Sequence, residues 1–238
     1  MSEQKTTAIP AGWRLEIVYK PIRNIWFRAH ARTRVFSVSA PLKTSCQTLD
    51  RAIRSKAAWM NERAAVPASP LLIPSRVSHG DTCLFKGTSY PVSVLENSLG
   101  NKVSFDPDTG MHIRVKGAAD EELCARLLSA WYRRKLALEL DALLATWGPR
   151  LGVRIKECRI RRMTTRWGSC NTRAGRIWIN EALICLASDL LAYVLVHELV
   201  HLLEPSHNQR FYRLMAGVFP DWKEKKKTLS FYAPGLGG

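Results

Sequence analysis

The sequence predicts an α+β protein in two parts. A β-rich N-terminal region spans residues 1–117, and a mainly helical region over 118–238 carries the chemistry, with the two packed together or forming one continuous unit. Three observations predict this. Short runs of β-branched and aromatic residues, separated by turn residues, dominate the first half. A long series of apolar residues at helical spacing begins near Asp120. A second apolar helical segment, Leu190 to Leu203, is interrupted by His197, Glu198 and His201.

Taken in order, Leu15 to Tyr19 and Val35 to Ser39 read as strands. Pro21 to Arg34 between them is basic and holds Trp26 and Phe27. Cys46 to Ala64 reads as a helix, with Ile53, Ala57 and Met60 at helical spacing. Pro67 to Ser78 is a loop rich in Pro and Ser. Thr82 to Phe85, Ser89 to Leu95, Lys102 to Phe105 and Met111 to Val115 are strand candidates, with turns at Asn97 to Asn101 and Asp106 to Gly110. A long helix follows from Asp120 to about Thr146; Asp120, Glu121 and Glu122 suit the positive end of its dipole, and Gly148-Pro149 stops it. Val153 to Thr165 and Arg176 to Asn180 read as strands around a turn at Asn171 to Gly175. Ser188 can cap a helix from Asp189 to about Glu204, which Pro205 ends because it has no N–H to continue the ladder. Another helix starts near Asn208, and Lys223 to Lys227 forms a basic tail before the glycine-rich Gly235 to Gly238.

Composition bounds the function. Thirty-six Lys and Arg against twenty Asp and Glu leave a net charge of +16, so the chain attracts polyanions or acidic surfaces. Met1 to Gly12 has no apolar core of the kind a signal peptide needs, and Leu190 to Leu203 is shorter than the roughly 20 apolar residues that span a bilayer. No membrane partner is expected. The six cysteines are scattered with no CxxC pair, which reads as free thiols in a reducing compartment, not as disulfides or a cysteine zinc site. A cytoplasmic location is the simplest account.

The chemistry centres on His197-Glu198-Leu199-Val200-His201, an HExxH sequence inside an apolar helical segment. Residues four apart on a helix differ by about 40° around the axis and about 6 Å along it, so both imidazoles reach one ion. Glu198 lies about 100° further round, close to the ion but better aimed to hold a water than to be a ligand. A catalytic zinc takes three protein ligands and keeps one position open. Glu204 on a continuing helix would be about 10 Å along the axis from His197, too far. His207 is the better third ligand, because Pro205-Ser206 can fold it back toward the other two. The pattern predicts one zinc ion (Zn2+) on His197, His201 and His207, with Glu198 as general base for a metal-bound water.

The segment HELVHLLEPSHNQRFY, His197 to Tyr212, resembles the active-site segment of the YgjP-like metal-dependent hydrolases, relatives of the SprT-like and minigluzincin metallopeptidases. Arg162-Met163-Thr164-Thr165-Arg166-Trp167-Gly168-Ser169-Cys170 resembles that family's RxxxRWGSC segment. Trp178-Ile179-Asn180, Tyr193-Val194, Phe211 and Phe219-Pro220-Asp221 fit it as well. The resemblance implies a zincin-like core with His197, His201 and His207 as ligands, Glu198 as catalytic base, and the preceding strand pair beside the cleft. This chain departs from the family pattern at Ala187-Ser188, where a proline often precedes the active helix.

Three functions are then open. The first is a zinc metallopeptidase in which metal-bound water attacks a peptide bond and an edge strand aligns the extended substrate. The second is a nucleotide pyrophosphohydrolase releasing pyrophosphate from a nucleoside triphosphate, an activity proposed within the YgjP-like group; the chain has no P-loop and no acidic magnesium cluster. The third is a non-catalytic, nucleic-acid-associated binding module, against which Glu198 argues, since a structural site needs no base. Arg162 and Arg166 share a face only on a regular strand; there they either grip an anionic substrate group or stay solvated and ion-paired. Tyr193, one turn before His197, is either packing or an oxyanion donor. Arg154 to Arg176 holds eight basic residues and one acid, Glu157, either a solvated face or a surface for nucleotide or nucleic-acid contact beside the cleft.

Overall fold

The computed structural model describes residues 9–30, 34–65, 72–163 and 165–232. It divides into two compact units, one of Met1–Pro70 with Ser230–Gly238 and one of Leu71–Leu229. Thr164, the opening of the predicted loop at Pro67, and the glycines from Gly235 lie outside the described residues. Among the described residues there are six α-helices and three sheets, an α+β architecture as the sequence predicts.

The first unit is built on β1 (Arg14–Lys20), β2 (Trp26–His30) and β3 (Val35–Pro41). β3 is central, parallel to β1 and antiparallel to β2. Its alternating Phe36, Val38 and Ala40 are wholly buried against Leu49 and Ile53 of α1 (Cys46–Ser55) and Met60 of α2 (Ala57–Ala65). Burying each of these side chains other than Ala40 contributes on the order of 2 kcal/mol. The basic stretch between the expected strands supplies β2: Phe27 packs on this core while Arg28 stays exposed, so alternation is present under the charge. The single helix expected over Cys46 to Ala64 is broken at Lys56, whose N–H bonds back to Ile53 and Arg54.

The second unit opens with a four-stranded sheet of β4 (Thr82–Phe85), β5 (Thr88–Leu95), β6 (Lys102–Asp106) and β7 (Gly110–Arg114), in the order β4-β5-β7-β6. Phe85, Phe105, Trp131 and Tyr132 form one aromatic block between this sheet and α3 (Glu121–Leu151). Asp120 caps α3 by accepting from the N–H groups of Glu122 and Leu123. Gly148-Pro149 does not stop α3. Pro149 falls in its last turn, where the missing N–H costs one hydrogen bond, and the helix ends at Gly152 in the left-handed conformation (φ 65°).

A second sheet follows, formed by β8 (Glu157–Arg161), β9 (Gly168–Asn171) and β10 (Arg176–Asn180) in the order β8-β10-β9. The expected single strand from Val153 to Thr165 is shorter. The chain leaves the sheet at Arg162 and returns as β9, an edge strand antiparallel to β10. A 3₁₀ turn, Glu181–Cys185, leads to α4 (Ser188–Val200). Ser188 is the first helical residue and not the cap, which is Ala187 without a side-chain bond. α4 is buried on nearly every side. Helices α5 (Gln209–Val218) and α6 (Trp222–Tyr232) complete the order, the latter formed by the basic tail. No helix among the described residues is long and apolar enough to cross a membrane.

Candidate metal centre

Helix α4 ends at Val200, and three backbone turns at Leu202, Leu203 and Glu204 carry the chain round to Pro205. Asn208 then starts α5, its Oδ1 accepting from the Phe211 N–H at 3.1 Å. This break, earlier than the expected end at Glu204, brings His207 back over α4. The ligand atoms of His197, His201 and His207 all lie within 4.8 Å of one another, and the Nε2 atoms of His197 and His207 are 3.0 Å apart. Tetrahedral zinc with bonds of about 2.0–2.1 Å sets its nitrogen pairs roughly 3.4 Å apart, so small ring movements suffice to seat an ion.

The protonation states suit a cation. Burial drives the His197 imidazole down to about 3, with the neighbouring His201, His207 and Lys226 adding to the effect. Burial also lowers His201 and His207. All three rings are therefore neutral at pH 7, with lone pairs available. His201 Nδ1 donates to the Glu204 carbonyl at 3.2 Å, which leaves Nε2 as its free donor atom. The donor set fits a divalent metal of the zinc type.

Phe211 holds the three rings together. It is fully buried, and its ring centroid is 4.8 Å from His197, 4.8 Å from His201 and 4.7 Å from His207. Its i+4 spacing from His207 is the signal available in the sequence, but its contact with the other two rings is long-range.

Glu198 is buried at 6% exposure, and burial raises its carboxyl to about 8 while the Arg166 guanidinium pulls it partway back. The carboxyl lies against β9: a Cβ placed on Gly168 would be 2.5 Å from Glu198 Oε1. Asn180 fixes the segment leading into β9. Its side chain donates to the carbonyls of Met163 (2.9 Å) and Arg166 (2.7 Å), and its backbone N–H donates to Trp167 at 2.8 Å. The Trp167–Asn180 pair being hydrogen-bonded, the next pair, Gly168–Ile179, turns the N–H and C=O of Gly168 to the open edge.

The two arginines part company. Arg166 acts on Glu198, whereas Arg162 donates to the Ile73 carbonyl at 3.1 Å and lines a groove of about 570 Å³ with Arg126 and Arg133 of α3. None of the histidines lines that groove. Tyr193 is buried, its ring 6.2 Å from His197 and 5.9 Å from Phe219, and burial pushes its phenol up to about 12. In the basic segment, Arg159 and Arg176 both pair with Glu157, and Arg161 lies 3.6 Å over the Trp178 ring. Glu181, not singled out by the sequence, is a wholly buried carboxylate held by Ser129 and Arg133.

The family model of the YgjP-like metallopeptidase domain matches residues 23–231. The chain belongs to the YgjP-like family. As a YgjP-like metallopeptidase domain it is a metal-dependent hydrolase of the peptidase type. Among solved structures it is similar to the metallopeptidase zymogen of Pyrococcus abyssi abylysin, at 26% identity over 40% of this chain and 96% of that one, with a TM-score of 0.38. No curated protein matches it.

Proposed function

We propose that this YgjP-like chain is a zinc peptidase with a zincin-type site, in which His197, His201 and His207 hold one zinc ion and Glu198 is the general base. The observation that carries this reading is the convergence of three neutral imidazoles beside one buried carboxyl. When bound, zinc supplies a Lewis acid that acidifies the attacking water, polarises the scissile carbonyl and favours the ionised form of Glu198. Glu198 takes the proton of that water on its carboxylate as the oxygen attacks, then delivers it to the amide nitrogen as the C–N bond breaks. Phe211 keeps the imidazoles oriented and excludes water from behind them.

The open edge of β9 supports a peptide substrate. An extended chain can add as the next strand, pairing with the N–H and C=O of Gly168. Arg166 holds its charge beside the base, and Tyr193 packs behind His197. Arg162 has no part in this reading of the site, because it lines the α3 groove. Contact of the segment Arg154 to Arg176 with nucleic acid is not part of it either, because Arg159, Arg161 and Arg176 are engaged within the sheet.

The test offers zinc-loaded protein and its Glu198→Gln form peptide libraries and nucleoside triphosphates side by side. Peptide cleavage that is lost in the variant is the expected result. Pyrophosphate release without peptide cleavage, also lost in the variant, would replace the peptidase reading with the pyrophosphohydrolase one. No turnover of either would favour a binding module.

A further inference from the structure

We infer that Gly168 is a positioning residue for Glu198: the absence of a side chain at this one position of β9 is the space in which the carboxyl sits. The inference rests on the reading of Glu198 as the base. A Cβ on Gly168 would lie 2.5 Å from Glu198 Oε1, 2.7 Å from Cγ and 2.9 Å from Cδ. Real Cβ atoms essentially never approach heavy atoms closer than 3.0 Å, so the whole end of the Glu198 side chain must shift.

Backbone conformation does not call for glycine here. Gly168 is absent from the glycines with positive φ, and it lies in a regular strand in register with Ile179. Alanine would adopt that conformation freely, and in a strand it would reduce the entropy of the unfolded chain. The glycine is explained by room alone.

What blocks the added carbon decides where the cost falls. All three close atoms belong to one flexible side chain, and none belongs to the backbone. β9 can therefore keep its pairing with β10 while the carboxyl is driven aside. Glu198 is 6% exposed on a helix packed on nearly every side, so it cannot swing into solvent without leaving the site. By strand alternation Cys170 faces the same way as Gly168, and Cys170 interacts with the Glu198 carboxyl. Displacing a base by about 1 Å costs on the order of 100-fold in rate.

The test uses the full-length chain in four zinc-loaded forms: unsubstituted, Gly168→Ala, Glu198→Ala and the double variant. Zinc content of Gly168→Ala is expected to match the unsubstituted protein, and its melting temperature to fall by no more than about 10 °C. Its crystal structure is expected to keep the β9–β10 register and to move the Glu198 carboxyl by about 1 Å or more. On a cleaved fluorogenic peptide, kcat is expected to fall about 100-fold with KM within about twofold. In the Glu198→Ala background the same substitution is expected to change the residual rate by less than about twofold. A carboxyl that stays in place, or an equal rate loss in both backgrounds, overturns the inference and leaves the base assignment standing. Full activity of Glu198→Ala overturns the base assignment, and the inference with it.

Discussion

The Nε2 atoms of His197 and His207 lie 3.0 Å apart although a helix end lies between them and they are ten positions apart in the chain. His197 is half-buried and His207 exposed, and a neutral ring pair satisfies only one donor and one acceptor between its members, whereas three converging ring nitrogens suit a cation. A cation between them would satisfy both lone pairs and would take the third from His201.

Removing His207 tests this relationship directly. His207→Ala deletes one of three donor atoms. Even outer-sphere partners of a metal are worth 10–100-fold in affinity, so the loss is expected to exceed about 100-fold. Competition with a chromophoric chelator reads it. Zinc affinity that stays unchanged would remove His207 from the ligand set.

Glu198→Gln keeps the shape of the side chain and removes its capacity to take a proton. Zinc content is expected to stay at the level of the unsubstituted protein while kcat falls by about 10²–10⁴-fold, the usual contribution of a positioned base. Equal loss of metal and activity would instead make Glu198 part of the metal-holding structure.

The helix carrying His197 and His201 is legible in the sequence because its apolar period and its HExxH spacing are local, and Pro205 marks where the chain must turn. The residues that complete the site are less legible because their roles are long-range. Phe211 meets three rings on two segments, Gly168 matters only because α4 lies against β9, and Asn180 fixes Arg166 across a strand pair. Charge hides two elements. β2 sits in a basic stretch where Phe27 and Ala29 face inward, and α6 reads as a basic tail although Lys225 bonds to both Asp189 and Asp221. Arg162 and Arg166 look alike by spacing and separate in space because the strand ends at Arg161.

Phe211→Ala is expected to act on stability and metal binding together. The side chain is fully buried, and truncating a buried phenylalanine costs about 3–5 kcal/mol. The cavity lies beneath all three imidazoles, so zinc affinity should fall as well. Urea unfolding of metal-free and zinc-loaded protein measures both: the midpoint drops in each, and zinc restores less of it than in the unsubstituted chain. A variant that loses stability while zinc gives its full stabilisation would reduce Phe211 to ordinary core.

The cysteines are expected to divide by burial under alkylation, because the thiolate is the reactive form. Cys46 is exposed, whereas Cys83, Cys124 and Cys185 are buried. Burial pushes the thiols of Cys158 and Cys170 up to about 11, Cys170 also feeling the charge of Glu198. Since their pKa is raised, their thiolate fraction at pH 8 is small and grows as pH rises toward 11. Iodoacetamide at pH 8 followed by peptide mass spectrometry should label Cys46 first, Cys158 and Cys170 slowly and faster at higher pH, and the three buried thiols only on unfolding. Rapid labelling of Cys170 at pH 8 would mean that its thiol is ionised beside the candidate metal centre, against the direction in which burial shifts it.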